Sequence, residues 1–269
     1  MKDHLQRWRA PISETAWQAL ERDARSRLRT HLTARQVVDF SGPHGWQHSA
    51  TELGRVVPLA EPVPIVTACQ RRVLPLVELR CQFAVGREEV EAVDRGAPNP
   101  DFRGVEVAAR ALARAENFIV FHGFDEAGIA GMSQCSSHEP VPLPDDTEEV
   151  PRTVARALNM LRDAGIEGPF ALVAPPDQYA RVIEATEHGG YSLLEHVKQI
   201  IGGPVLRALG INEAFLCSIA GGHFIFESGQ DVSIGYLDHT EEAVQLYLEE
   251  SFAFVVVEPE AAVRLRGTP

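Results

Sequence analysis

Arg35-Gln36-Val37-Val38-Asp39-Phe40-Ser41-Gly42-Pro43 is the stretch into which the N-terminal helix of this chain runs. Its counterpart at the other end is a set of long alternating strands, Val232 to Leu237, Val244 to Leu248 and Phe252 to Val257. Between these ends the sequence has no phosphate loop, metal-ligand cluster or nucleophile elbow. Extended, two-sided ribbons leave backbone groups and apolar side chains uncovered in a lone molecule, so a chain that invests in them is built to contact copies of itself.

Upstream of this stretch, Ser13 reads as the N-cap of a helix whose apolar positions Trp17, Leu20, Ala24, Leu28 and Leu32 recur on one stripe. Ile12 before the cap and Trp17 at the fourth helical position fit a hydrophobic staple. The opposite side carries Arg22, Arg25 and Arg29.

Downstream, Val56 to Leu59 and Val73 to Leu79 read as a long antiparallel hairpin over 54–80, with a proline-rich tip at Glu61 to Ile65. Two strands alone are marginal in water, so the hairpin is expected to lie on something else, another subunit included. Then come a helix over Phe102 to Phe118, a strand at Ile119 to Phe121 that Gly123 ends, and a polar loop to Asp146. A helix over Val150 to Ala164 stops at Gly165, a strand follows at Phe170 to Val173, and Asp177 to Ala185 is a shorter helix. Ser192 and Glu195 read as a capping box, and Phe215 to Ile219 with Phe224 to Phe226 as a hairpin about Ala220-Gly221-Gly222.

Composition bounds the function. A chain of 269 residues with 45% hydrophobic content can bury a core as one large or two modest domains, and 18 Pro with 21 Gly punctuate many short elements of an α+β protein. The formal net charge of -13 disfavours free nucleic acid as a partner. Charge is unevenly placed: Met1 to Phe40 holds eight Lys or Arg against five acids, whereas Asp125 to Val150 and Leu237 to Glu260 each hold seven acids and no Lys or Arg. Cys69, Cys81, Cys135 and Cys217 are scattered, which points to reduced thiols in a cytoplasm. No apolar run approaches the roughly 20 residues of a membrane span, so a soluble cytoplasmic protein with no membrane contact is expected.

Taken in order, several short motifs make the chain resemble the encapsulins, the bacterial nanocompartment shell proteins related to tailed-phage major capsid proteins. They are Ala10-Pro11-Ile12, Arg35 to Asp39, Gly42-Pro43-x-Gly45-Trp46, Leu74-Pro75-Leu76-x-Glu78-Leu79-Arg80, Arg95-Gly96-x-Pro98-Asn99, Gly165-Ile166-x-Gly168-Pro169 and Gly229-Gln230-Asp231-x-Ser233-Ile234-Gly235-Tyr236. The resemblance implies the tailed-phage major capsid fold of the Hong Kong phage type, an α+β fold. Its parts would be an N-terminal lumen-facing arm and helix (1–45), an E-loop (46–80), a P-domain (81–134, completed by 223–257), an A-domain (135–222) and a C-terminal strand (258–269).

It further implies an icosahedral shell of identical subunits enclosing a cargo enzyme, a ferritin-like protein or a dye-decolourising peroxidase, through a C-terminal targeting peptide. The peptide groove would be lined by Leu28, Leu32, Arg35 and Asp39, with Ile234 and Tyr236 across from them; Glu187, His188, Gly189 and Gly190 would line a pore. The only lysines are Lys2 and Lys198, neither in the hairpin, so a noncovalent shell is expected rather than one cross-linked through lysine. Some relatives stack a flavin on a tryptophan after the E-loop; the corresponding Gly86-Arg87-Glu88-Glu89 has no aromatic residue, and no cofactor or metal is expected.

Two other readings stand beside this one. A phage or prophage capsid protein would share the fold and package DNA; the basic N-terminal helix with its apolar stripe favours protein cargo. A cysteine hydrolase could be drawn from Cys135 and His138, but their spacing in a polar loop matches no signature. His44 and His48 lie four apart, and Gly45 interrupts any helix that would aim both at a metal.

Overall fold

The computed structural model describes residues 4–144, 146–185 and 192–267. Helix α1 (Glu14–His31) begins where Ser13 Oγ accepts the Ala16 N–H at 3.1 Å and donates to Asp94 Oδ1 at 2.5 Å. Its stripe of Ala16, Trp17, Leu20, Ala24 and Leu28 is buried, and Ile12 packs into the same cluster as Trp17. The chain then turns through Ala34–Gln36 into strand β1 (Asp39–Ser41).

Strands β2 (Ala50–Val63) and β3 (Val66–Pro75) form a two-stranded ribbon that pairs with no other strand among the described residues. Val56, Leu59, Val63, Val66 and Val73 are all exposed on it, and Ile65 at its tip is 97% exposed with φ of +67°. The strand read as Val73 to Leu79 divides. Pairing within the ribbon stops at Pro75, and β4 (Val77–Gly86) leaves to join another sheet.

After α2 (Arg87–Asp94) comes α3 (Arg103–His122), one helix of 20 residues. The expected strand at Ile119 to Phe121 is therefore its last turn. Those residues are buried, and the backbone bond from Gly123 N to Ile119 O at 2.8 Å keeps the helical ladder running despite their strand propensity. Next are α4 (Met132–Cys135), β5 (Val141–Leu143), α5 (Val150–Asp163), β6 (Phe170–Ala174), α6 (Pro176–Glu184) and α7 (Leu193–Ile201). The capping box at α7 does not form: Ser192 makes no side-chain cap bond, and the Glu195 carboxylate accepts from Lys198 Nζ at 2.8 Å.

The remaining strands are β7 (Val205–Arg207), β8 (Ala214–Ser218), β9 (Phe224–Ser228), β10 (Ser233–His239), β11 (Ala243–Val256) and β12 (Ala262–Gly267). The two strands expected between Val244 and Val257 are one, β11, 14 residues long. It is the spine of the first sheet: β4 pairs antiparallel along one edge, while β10 and then β9 pair along the other, and β1 adds parallel to β9. The second sheet has the order β5-β12-β8-β6-β7. Consequently β8 and β9 are not a hairpin but cross from one sheet to the other. Both are buried strands with better partners elsewhere, and Gly221 and Gly222, at φ of +94° and +83°, make the crossover turn.

Two apolar clusters result. One joins α1 to α3, β4, β10 and the first half of β11; the other fills the second sheet and continues to Phe252 and Phe254. On the core face of β11, by strand alternation, the order is Val244, Leu246, Leu248, Glu250, Phe252, Phe254, so a glutamate sits where the clusters meet.

Candidate functional site

The amphipathic character of α1 leaves its last turns facing β10 across a groove of about 800 Å³. Leu28, Leu32, Ile234 and Leu248 give it an apolar floor, and Arg25 and Arg29 add cationic lining. Leu28, Leu32, Arg35 and Ile234, four of the residues singled out from sequence, are thus brought together.

The other two are not. Tyr236 is buried beside the groove, its hydroxyl 2.6 Å from His239 Nδ1 and its backbone N–H donating to Leu5 O at 2.8 Å. Asp39 faces the crossover turn, where Oδ2 accepts the Gly222 N–H at 2.5 Å. Its place one turn of chain beyond Arg35 puts it on β1, and neither an ion pair with Arg35 nor a position in the groove results.

Arg35 pairs instead with three acids. Nη1 donates to Asp231 Oδ1 at 2.6 Å, Nη2 to Glu250 Oε2 at 2.8 Å, and Nε to Glu116 Oε2 at 2.8 Å. Its guanidinium also lies over the rings of Phe40 and Phe226, at 5.0 and 5.4 Å. Burial works against the charge of Arg35, and the carboxylates of Glu116, Glu250 and Asp231 overcome that and hold its pKa above the ordinary value. Burial pushes both Glu116 and Glu250 upward, Glu250 well above the carboxylate range because the charge of Glu116 adds to the effect. Glu116 Oε1 and Glu250 Oε1 are buried with no hydrogen-bond partner among the described residues.

Sequence reading missed Glu116 and Glu250. The signal was present: on α3 the spacing Val105, Ala109, Leu112 leads to Glu116, so an acid occupies the apolar stripe. The neighbouring Glu249 faces the opposite side of β11, fully buried, where it accepts from Arg80 Nε at 2.8 Å and from Gln230 Nε2 at 3.3 Å and meets His4 Nε2 at 3.1 Å.

Elsewhere the candidate chemistry is engaged structurally. Burial raises the Cys135 thiol above its ordinary pKa, and His138 Nε2 bonds to the Glu260 carbonyl at 2.9 Å, so the two do not form a nucleophile–base pair. His44 Nε2 lies 3.0 Å from Ser41 Oγ, and His48 Nε2 2.5 Å from Glu227 Oε1. The pore residues Glu187, His188, Gly189 and Gly190 lie outside the described residues. No described helix is long and apolar enough to cross a membrane.

Compared with known proteins, residues 1–253 match the family model described as encapsulating protein for peroxidase. The chain belongs to the encapsulin family. It is 45% identical over 269 residues to the type 1 encapsulin shell protein of Rhodospirillum rubrum, covering 98% of this chain and 96% of that one. Two solved structures share its fold. The virus-like particle of Pyrococcus furiosus aligns at a TM-score of 0.62 and 20% identity, covering 93% of this chain and 99% of the other. The capsid of Myoviridae phage XM1 aligns at 0.53 and 12% identity, covering 88% and 92%. The encapsulin chain therefore has the α+β tailed-phage capsid fold that its motifs implied.

Proposed function

We propose that the chain is the protomer of a closed icosahedral shell in the cytoplasm, that it turns over no substrate itself, and that it retains a cargo enzyme through a tail peptide. The observation that carries the cargo reading is the groove beneath α1. An apolar floor of Leu28, Leu32, Ile234 and Leu248 about 800 Å³ in extent suits the Leu or Ile side chains of a short extended segment. Arg25 and Arg29 add polar contacts that fix its direction. Arg35 shapes the groove wall while its donors are committed to Asp231, Glu116 and Glu250.

Self-assembly is supported by the β2–β3 ribbon, whose exposed valines, Leu59 and Ile65 have no cover among the described residues. The family description makes a peroxidase the first cargo to test, with a ferritin-like protein second. The net charge of -13 disfavours free nucleic acid as a partner of the chain as a whole. Electron microscopy of purified protein tests the proposal. Uniform hollow particles are expected, and a population of small oligomers with no closed shells overturns it.

A further inference from the structure

Two histidine contacts converge on the root of the β2–β3 ribbon, the segment 42–49 that leads from β1 into β2. Backbone bonds hold this segment against the body: the His44 N–H donates to Ser228 O at 2.9 Å and the Gly45 N–H to Gly229 O at 2.6 Å. On the return side, the Leu76 N–H donates to Ser49 O at 3.0 Å. Since the ribbon pairs with no other strand among the described residues, whatever grips its root also sets how it leaves the body.

The first contact lies within the root. His48 Nε2 is 2.5 Å from Glu227 Oε1 on β9, both side chains being partly buried, and the His44 ring stands 4.9 Å from that of His48. The second comes from the segment ahead of α1. His4 stacks on Trp46 with ring centroids 3.7 Å apart and planes 10° from parallel, and its Nε2 is 3.1 Å from Glu249 Oε1, a fully buried acid on β11. Each imidazole thus ties the root to a carboxylate on an inner strand of the first sheet.

The charged and titratable groups around the two rings are few. At His4 they are Glu249 and, on the other side of that carboxylate, Arg80 from β4, which Glu78 also meets at 3.3 Å; Gln230 completes the set at 3.3 Å from Glu249. At His48 they are Glu227 and His44, whose Nε2 is 3.0 Å from Ser41 Oγ. The His44–His48 pair lacks a third ligand placed for a metal, as does every other group among the described residues.

Imidazole is the side chain whose charge changes between about pH 5 and 8. A hydrogen bond from its cation to a carboxylate is roughly twice as strong as one between neutral partners, and a cation over an indole face is attracted further. We infer that His4 and His48 form a proton-operated clamp on the ribbon root. Charged, they draw Trp46 and the end of the root onto the sheet. Neutral, they hold it weakly, and the root turns at Gly42 and Gly45, whose φ of +111° and +103° only glycine adopts freely. The clamp belongs to the single chain and does not rest on the shell reading above.

Amide hydrogen exchange on the full chain at about pH 5.5 and about pH 8 tests it, each rate being referred to its intrinsic value at that pH. In the wild type, the peptide covering 42–49 is expected to be roughly threefold to tenfold better protected at the lower pH, with peptides from α5 unchanged. In His4→Gln with His48→Gln, which keeps a donor at each place and removes the titrating charge, that difference is expected to vanish. Equal protection at both pH values overturns the inference. So does protection that falls on acidification, as repulsion between His44 and His48 would cause, or a difference that survives in the double variant. Tryptophan fluorescence gives a second reading that needs no histidine variant. Subtracting the emission of Trp46→Phe from that of the wild type isolates Trp46, whose emission is expected to fall on acidification as the charged imidazole quenches the indole it stacks on. A difference that is flat with pH overturns the part assigned to His4.

Discussion

Arg35 Nη2 donates to Glu250 Oε2 at 2.8 Å, tying the segment after the N-terminal helix to the middle of β11 across 215 positions of chain. The bond is made where the two apolar clusters meet, and Glu116 joins it from α3. Three elements distant in sequence thus converge on one guanidinium. Removing that charge would leave two buried acids with no cation, which is the costly way to break such a group.

Arg35→Ala is accordingly expected to destabilise the protein by about 3–5 kcal/mol. Arg35→Met combined with Glu116→Gln and Glu250→Gln should recover much of that loss, since no net charge is then left buried. Denaturant midpoints with their slopes, measured by tryptophan fluorescence, distinguish the two.

The same cluster sets a pH dependence. Burial, with the charge of Glu116 adding to it, holds the Glu250 carboxyl well above the ordinary range, and burial raises Glu116 in the same direction. The folded chain keeps a proton that the unfolded chain has released, so the contribution of this pair to stability is fully present below the ordinary glutamate pKa of about 4.3 and is lost as pH rises through the folded value. The urea midpoint should fall over that window in the wild type and fall less in Glu250→Gln. An equal slope in both proteins would remove the proton from Glu250.

Gly235 on β10 lies opposite Tyr247 on β11, and a Cβ at this position would run into the tyrosine ring, which also lies under the Arg80 guanidinium at 4.3 Å. Gly235→Ala should therefore cost about 1–3 kcal/mol through overpacking. Adding Tyr247→Leu should return part of it, a recovery that a purely conformational role for the glycine does not provide.

Loss of the groove floor has a separate signature. Leu28 and Ile234 are buried, so Leu28→Ala with Ile234→Val lowers stability as well; among the particles that still form, occupancy by a co-expressed dye-decolourising peroxidase bearing its C-terminal tail should fall about tenfold, from the loss of apolar groove contacts. Gel densitometry of purified particles reads it directly, and unchanged occupancy places the peptide elsewhere.

Ser13→Ala should cost about 1 kcal/mol, since Ser13 Oγ accepts the Ala16 N–H that starts α1. The thermal midpoint of the variant checks it.

The sequence was most legible where periodicity was uninterrupted. The stripe of α1, the helix over Val150 to Asp163 with Gly165 after it, and the alternating β10 were all readable from spacing. It misled where local chemistry and tertiary context disagree. Glu249-Glu250-Ser251 made β11 look like two strands, although the two-residue period runs straight through; burial and the arginines that neutralise the acids lay far away in sequence. Ile119-Val120-Phe121 has strand propensity but continues a helix. Gly221-Gly222 marks a tight turn correctly, and nothing local says that its flanking strands belong to different sheets. In the groove, apolar Leu28, Leu32 and Ile234 were within reach of pattern reading, whereas the three partners of Arg35 come from positions 116, 231 and 250 and needed the fold to find them.

Glu249 and Glu250 are adjacent on β11, point to opposite faces of the sheet, and are each met by an arginine from a different part of the chain. Sliding β11 by a single residue against β4 would turn both carboxylates away from their cations at once and strand them against the wrong layer. Misaligned strands are thereby rejected during folding on both sides of the sheet together. A protein made in many identical copies gains from this proofreading, since a single misthreaded copy would spoil the closure of the whole.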